Sequence, residues 1–173
     1  MQELYTISND EQIGEIAISS EQLLESWLGQ RRLTRKTIEA FPELELLTFS
    51  IGRLRPMSRL ATEMVDWVVP TLNGLISGEW EPISTEKSED EYVKTKQDLL
   101  QLWDDTTGAI EILWRQIPPR RFQESEVAFE RFEGPLYQVI QYMIDNEIHH
   151  RGQAYVYLRV LGITPPDFQK ERV

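Results

Sequence analysis

One pattern constrains this chain more than any other. Long runs of apolar residues recur at three- and four-residue steps, and proline or glycine stops each run. That spacing gathers side chains on one face of a helix and does not suit the two-residue alternation of a half-buried strand. The first run opens at Ser19, which with Gln22 fits a capping box, and carries Leu23, Leu24, Trp27, Leu28, Thr34, Ile38 and Phe41 up to Pro42. The second, Met57 to about Ile76, presents Leu60, Met64, Trp67, Val68, Leu72 and Leu75, and its Pro70 predicts a kink. The third runs from Asp90 to Ile117 through Tyr92, Leu99, Trp103, Thr106, Ile110 and Leu113. Glu89, Asp90 and Glu91 stand where its dipole favours acids, and Pro118-Pro119 stop it. The fourth, Leu136 to Leu161, is preceded by Gly134-Pro135, with the proline expected at the first helical position, and is followed by Gly162 and Pro165-Pro166.

Four long helices without a strong strand signal predict an all-α four-helix bundle. Residues 120–133 read as a long charged crossover, with Phe122, Phe129 and Phe132 as pegs into the bundle. Residues 1–18 fit neither period and read as an irregular arm, lying on the bundle or on a partner subunit, ahead of a single domain over 19–173. A chain of 173 residues suits one domain and buries roughly two-thirds of its unfolded surface.

The net charge of -11 argues against nucleic acid and anionic membrane as partners, since both require clustered positive charge. With no cysteine, the chain has no disulfide and no thiol nucleophile. No apolar run approaches the ~20 residues of a membrane span. Glu3, Asp10, Glu11 and Glu15 do not suit a signal peptide, so a cytoplasmic protein is expected. Glycine-rich phosphate loops, nucleophile elbows, zinc-finger spacings and the carboxylate–histidine set of di-iron bundles are all missing from the sequence.

The chemistry concentrates in Asp145-Asn146-Glu147-Ile148-His149-His150-Arg151-Gly152-Gln153, which holds both histidines of the protein. Neighbours on a helix point about 100° apart and residues four apart about 40°. Asn146 and His150 therefore share a face with Val139, Met143, Ala154 and Tyr157, while His149 points to packing or surface. A buried amide and imidazole need partners, and such an i, i+4 pair is also how a helix presents metal ligands. Glu147 is expected to pair with Arg151 one turn on, unless Arg151 anchors a neighbouring helix. Gly152 costs about 1 kcal/mol against alanine inside a helix, which close approach of another helix would justify. In the second run, Glu63 lies on the apolar stripe, between Leu60 and Trp67.

The string from Glu147 to Gln153, followed by Tyr157-Leu158-Arg159 and Leu161-Gly162-Ile163, resembles the last helix of the DinB-like (YfiT-like) superfamily. The resemblance implies a four-helix bundle, in many members carrying a divalent metal on three histidines. Two of those positions fall on Asn146 and His150, and the third falls near Glu63; only His150 keeps the histidine. By resemblance, the metal set is Glu63, Asn146 and His150, with zinc or nickel as the ion and Gln153, Arg151 and Tyr157 around it. Glu63 or Glu147 is then the candidate catalytic base. If the register of the second helix differs, Asp66 or Thr62 takes the place of Glu63. Carboxylate and imidazole suit zinc, whereas an amide oxygen suits calcium better.

Two activities follow from the resemblance: a metal-dependent hydrolase or a thiol S-transferase. The competing reading is a non-catalytic dimeric bundle that binds a small ligand or partner in the same cavity, with Glu63 and His150 joined by a charge-assisted hydrogen bond. A homodimer and a bacterial source are also implied.

Overall fold

The computed structural model describes residues 18–81 and 93–169. Helix α1 spans Ser20–Ala40, α2 Glu43–Thr48, α3 Met57–Asp66, α4 Val68–Ser77, α5 Lys96–Trp114 and α6 Leu136–Val160. Between α5 and α6 lie a 3-10 turn, Pro119–Gln123, and a hairpin of β1, Ser125–Ala128, and β2, Phe132–Pro135. The result is an all-α bundle with one small hairpin. The expected arm at residues 1–18 lies outside the described residues except for Ile18.

Several boundaries follow from local chemistry. Ser19 and Gln22 form the expected capping box. At the far end of α6, Gly162 takes φ 76, and the Ile163 N–H donates to the Leu158 carbonyl at 2.8 Å. That is a Schellman closure, which requires a residue tolerant of the left-handed region. Four expectations need correction. The link after Pro42 contains a helix, α2. The second run breaks at Trp67 into α3 and α4, three residues before Pro70. Pro70 thereby falls in the first turn of α4, where its missing N–H costs nothing, and the clash of its ring with the carbonyl four residues back is relieved. The third helix starts at Lys96 instead of Asp90, because Thr95 and Asp98 form a capping box there. Pro135 caps α6 from outside instead of opening it.

The hairpin was not legible as strands. Its tip carries no Asn-Gly or Asp-Gly; Phe129 and Glu130 adopt φ 54 and 55 without glycine. Packing holds that conformation: the Phe129 ring lies edge-on to Trp67 at 5.4 Å and to Trp80 at 4.9 Å. Arg121 ties the region to α4 by donating to the Leu75 and Gly74 carbonyls, at 2.9 and 3.3 Å. Its other partners are the carboxylates of Glu124 and Glu126.

In the bundle, α1 packs against α5 and α6, and the α3–α4 pair packs against the same two helices. The first and second long helices therefore face each other across the diagonal. The apolar interior divides into two cells. One gathers Trp27, Val68, Leu72, Leu75, Ile110, Trp114 and the first half of α6, from Leu136 to Ile144. The other gathers Ile38, Phe41, Met57, Leu60, Leu99, Trp103, Ala154, Tyr157 and Leu158. The α3–α4 break falls at this division, and so do the polar residues of α6.

Candidate functional site

Helix α6 buries Glu147, His150 and Arg151 between the two cells, each 6% exposed or less. Glu147 and His150 are about 60° apart on an ideal helix, so they address different neighbours. His150 faces α3, where its Nε2 lies 3.4 Å from Glu63 Oε1. The contact is close but is not an aligned hydrogen bond: both ring nitrogens are buried and neither makes one among the described residues. The other oxygen of Glu63 pairs with Arg55. First the imidazole of His150 and then the Arg55 guanidinium hold the Glu63 carboxyl down to about 2, against the opposing effect of burial. Tyr157 supports this arrangement from below: its hydroxyl donates to the Arg55 carbonyl at 3.0 Å.

The remaining residues of the expected set are placed as follows. Asn146 is half-buried one turn before His150. The Thr62 hydroxyl is spent on the Ser58 carbonyl of its own helix at 2.9 Å. Glu63, rather than Thr62 or Asp66, reaches His150. Gln153 does not join the pair; it meets the exposed His149 ring at 2.8 Å. Arg151 turns to α1, donating to Gln30 Oε1 at 2.6 Å and to Thr34 Oγ1 at 3.1 Å. It therefore anchors the neighbouring helix.

Glu147 belongs to this second group. Its Oε1 accepts from Thr34 Oγ1 at 2.7 Å, and its Oε2 lies 3.9 Å from Arg31 Nη1. Arg31 donates to Thr107 Oγ1 at 3.0 Å and to the Trp103 carbonyl at 2.9 Å, with its guanidinium carbon 3.4 Å from the centre of the Trp103 ring. Burial raises the Glu147 carboxyl, opposed by the charges of Arg31 and Arg151 and by Thr34. Burial lowers the Arg31 guanidinium to about 10, opposed by Glu147 and Asp104. The expected Glu147–Arg151 relation is thus one part of a network across three helices, whose main partners are Arg31 and Thr34.

Sequence reasoning missed Arg31, Gln30, Thr107 and Arg55. A signal existed for one of them: the stripe of the first helix skips from Leu28 to Thr34, and Arg31 fills the gap on the buried face. Arg55 precedes α3 in an irregular link, where periodicity says nothing.

A four-helix bundle with a carboxylate–imidazole pair set between its second and last long helices is the class of protein that this geometry defines. The chain belongs to the DinB family, whose model matches residues 9–172. That match begins within the segment read from sequence as a separate arm. Two crystal structures share the fold. A DinB-like protein of Bacillus cereus ATCC 10987 is 20% identical with a TM-score of 0.67, over 85% of this chain and 95% of that one. A DinB-like protein of Bacillus subtilis is 19% identical with a TM-score of 0.68, over 85% and 97%. No curated protein matches the chain. Among the described residues, no helix is long and apolar enough to cross a membrane.

Proposed function

We propose that this DinB-family protein is a non-catalytic member that binds a small polar ligand beside His150. One observation carries the reading: both nitrogens of a buried imidazole are unspent, and such groups cost about 1–3 kcal/mol unless something satisfies them. The donor set does not suit a tightly held transition metal. Glu63 and His150 supply two strong ligands, Asn146 would add only an amide, and among the described residues no cluster of three His, Cys, Asp or Glu side chains surrounds the place. Arg55 also neutralises the Glu63 carboxylate that an ion would need.

One observation favours the competing reading of a divalent ion, zinc or nickel. The 3.4 Å between Glu63 Oε1 and His150 Nε2 matches the edge of a tetrahedral centre, about 3.3–3.5 Å for ordinary zinc bond lengths. An ion held there would act as a Lewis acid, the chemistry of a hydrolase or a thiol S-transferase.

Metal analysis of untagged protein, alongside a Glu63→His/Asn146→His variant, separates the two readings. The expected result is a metal-free native protein and a double variant that takes up zinc or nickel stoichiometrically. Stoichiometric metal in the native protein, lost in His150→Ala, would overturn the non-catalytic reading.

A further inference from the structure

The seam between α3 and α6 changes character along its length. Three contacts fix its order and show the two helices running antiparallel. The Tyr157 hydroxyl donates to the Arg55 carbonyl at 3.0 Å, and His150 meets Glu63 at 3.4 Å. Further on, Trp67 and Tyr142 both pack on Phe132, at ring-centre distances of 6.2 and 4.8 Å. Trp67 follows Glu63 by one turn and Tyr142 precedes His150 by two, so the polar and aromatic ends of the seam adjoin. Asn146 stands at their junction, one turn from Tyr142 and one turn from His150. Its amide is half-buried and makes no hydrogen bond among the described residues. The rings are also within reach of solvent: Tyr142 is 39% exposed, and Trp67 and Phe132 are half-buried. Rings that supply contact area, beside a few unspent polar groups that fix orientation, are the composition of a small-molecule site.

We propose that this seam binds a neutral, flat aromatic molecule carrying a carboxamide-like head. The ring lies on Tyr142 and Trp67, and the head sits between Asn146 and Glu63, in front of His150. This rests on the ligand reading above and narrows it to one chemical class. Three features select the class. Flat rings stack on aromatic side chains with a gain that an aliphatic ring of the same size lacks. The Glu63 carboxylate is already paired with Arg55, so a charged head would have to break that pair or face its own like charge, whereas a neutral head leaves it in place. The head must also both donate and accept. An ionised Glu63 only accepts, the Asn146 amide does both, and a neutral imidazole has one donor and one acceptor in either tautomer. A carboxamide gives one N–H to the carboxylate and takes one from the Asn146 amide. Its second N–H or second lone pair is left for His150, whose nitrogens nothing satisfies among the described residues.

Benzamide is the test molecule, with cyclohexanecarboxamide as the control for the ring and benzoate as the control for charge. The chain has two histidines, so long-range proton–nitrogen NMR follows the ring nitrogens of His150 individually. Benzamide should bind with a Kd of about 1 mM, as suits a fragment of its size, and should move the nitrogens of His150 more than those of His149. Cyclohexanecarboxamide and benzoate should each bind about tenfold more weakly. Tyr142→Ala should weaken benzamide about tenfold and leave cyclohexanecarboxamide unchanged. Asn146→Leu should weaken both amides about tenfold. Circular dichroism checks each fold, and Tyr142→Leu or Asn146→Ala replaces a variant that fails to fold. Cyclohexanecarboxamide that binds at His150 as tightly as benzamide, with Tyr142→Ala changing neither, overturns the aromatic class and leaves the ligand reading standing. Benzoate binding as tightly as benzamide overturns the neutral head. The proposal also falls if benzamide binds without moving the His150 nitrogens, or does not bind at about 10 mM, ten times the expected Kd. Stoichiometric metal in the native protein would overturn the ligand reading by itself, so the two can fail separately.

Discussion

Glu147 and His150 stand one turn apart on α6, both buried, and their surroundings are opposites. Around Glu147 the partners are numerous: Thr34, Arg31, Arg151 and, beyond them, Gln30, Thr107 and Trp103. Around His150, among the described residues, there is one close polar contact, unaligned, and two unspent nitrogens. Glu63, opposite, is also partly open, with 29% of its side chain exposed. The difference separates two uses of buried polarity. A densely bonded network, in which only Arg31 Nη1 lacks a hydrogen bond among the described residues, fixes how α1, α5 and α6 sit against one another. An unsaturated pair retains capacity for something from outside.

The comparison is broken most directly at Glu147. Glu147→Ala strands two buried guanidinium groups, and urea unfolding should record a loss of about 3–5 kcal/mol. A loss below about 1 kcal/mol would mean that the network contributes little to the packing of α1. His150→Leu should behave the other way. It removes two unsatisfied nitrogens but also the imidazole that does most to hold the Glu63 carboxyl down, so the two effects oppose and the same measurement should change by less than about 1 kcal/mol. A loss as large as that of Glu147→Ala would place His150 in the scaffold and remove the contrast.

A third effect appears in acid. The Glu63 carboxyl lies at about 2 in the folded chain against an ordinary 4.5. Its contribution is therefore complete above about pH 4.5 and is lost as pH falls towards about 2. Glu63→Gln should flatten that part of the stability profile. An unchanged slope would show that Arg55 and His150 do not hold the carboxylate.

The fold was largely legible because its main elements are amphipathic and its caps are local. Ser19 with Gln22 and Gly162 with Ile163 mark their boundaries through residues close in sequence. The hairpin was not legible, because its left-handed tip residue Phe129 packs on Trp67 and Trp80, which no local rule anticipates. The two α6 residues diverged for a related reason. A helical wheel put His150 on the inward side with Asn146, set Glu147 about 60° away as a partner for Arg151, and placed Glu63 on the facing stripe. It could not say that Arg31 and Thr34 would converge on Glu147 while His150 kept a single contact. Arg151 shows the same limit: its spacing from Glu147 suggested a pair within the helix, and its donors went to Gln30 and Thr34 on α1.

The two apolar cells meet at the level where α3 gives way to α4 and where α6 carries its ionisable groups. The lower cell takes in α4 and the early turns of α6, and the upper one takes in α3 and the late turns. Among the described residues, only α1, α5 and α6 run unbroken from one to the other. Cooperativity between the two ends of the molecule is therefore transmitted by three rods and a charged waist, so a fault at the waist would let one end melt while the other stays folded.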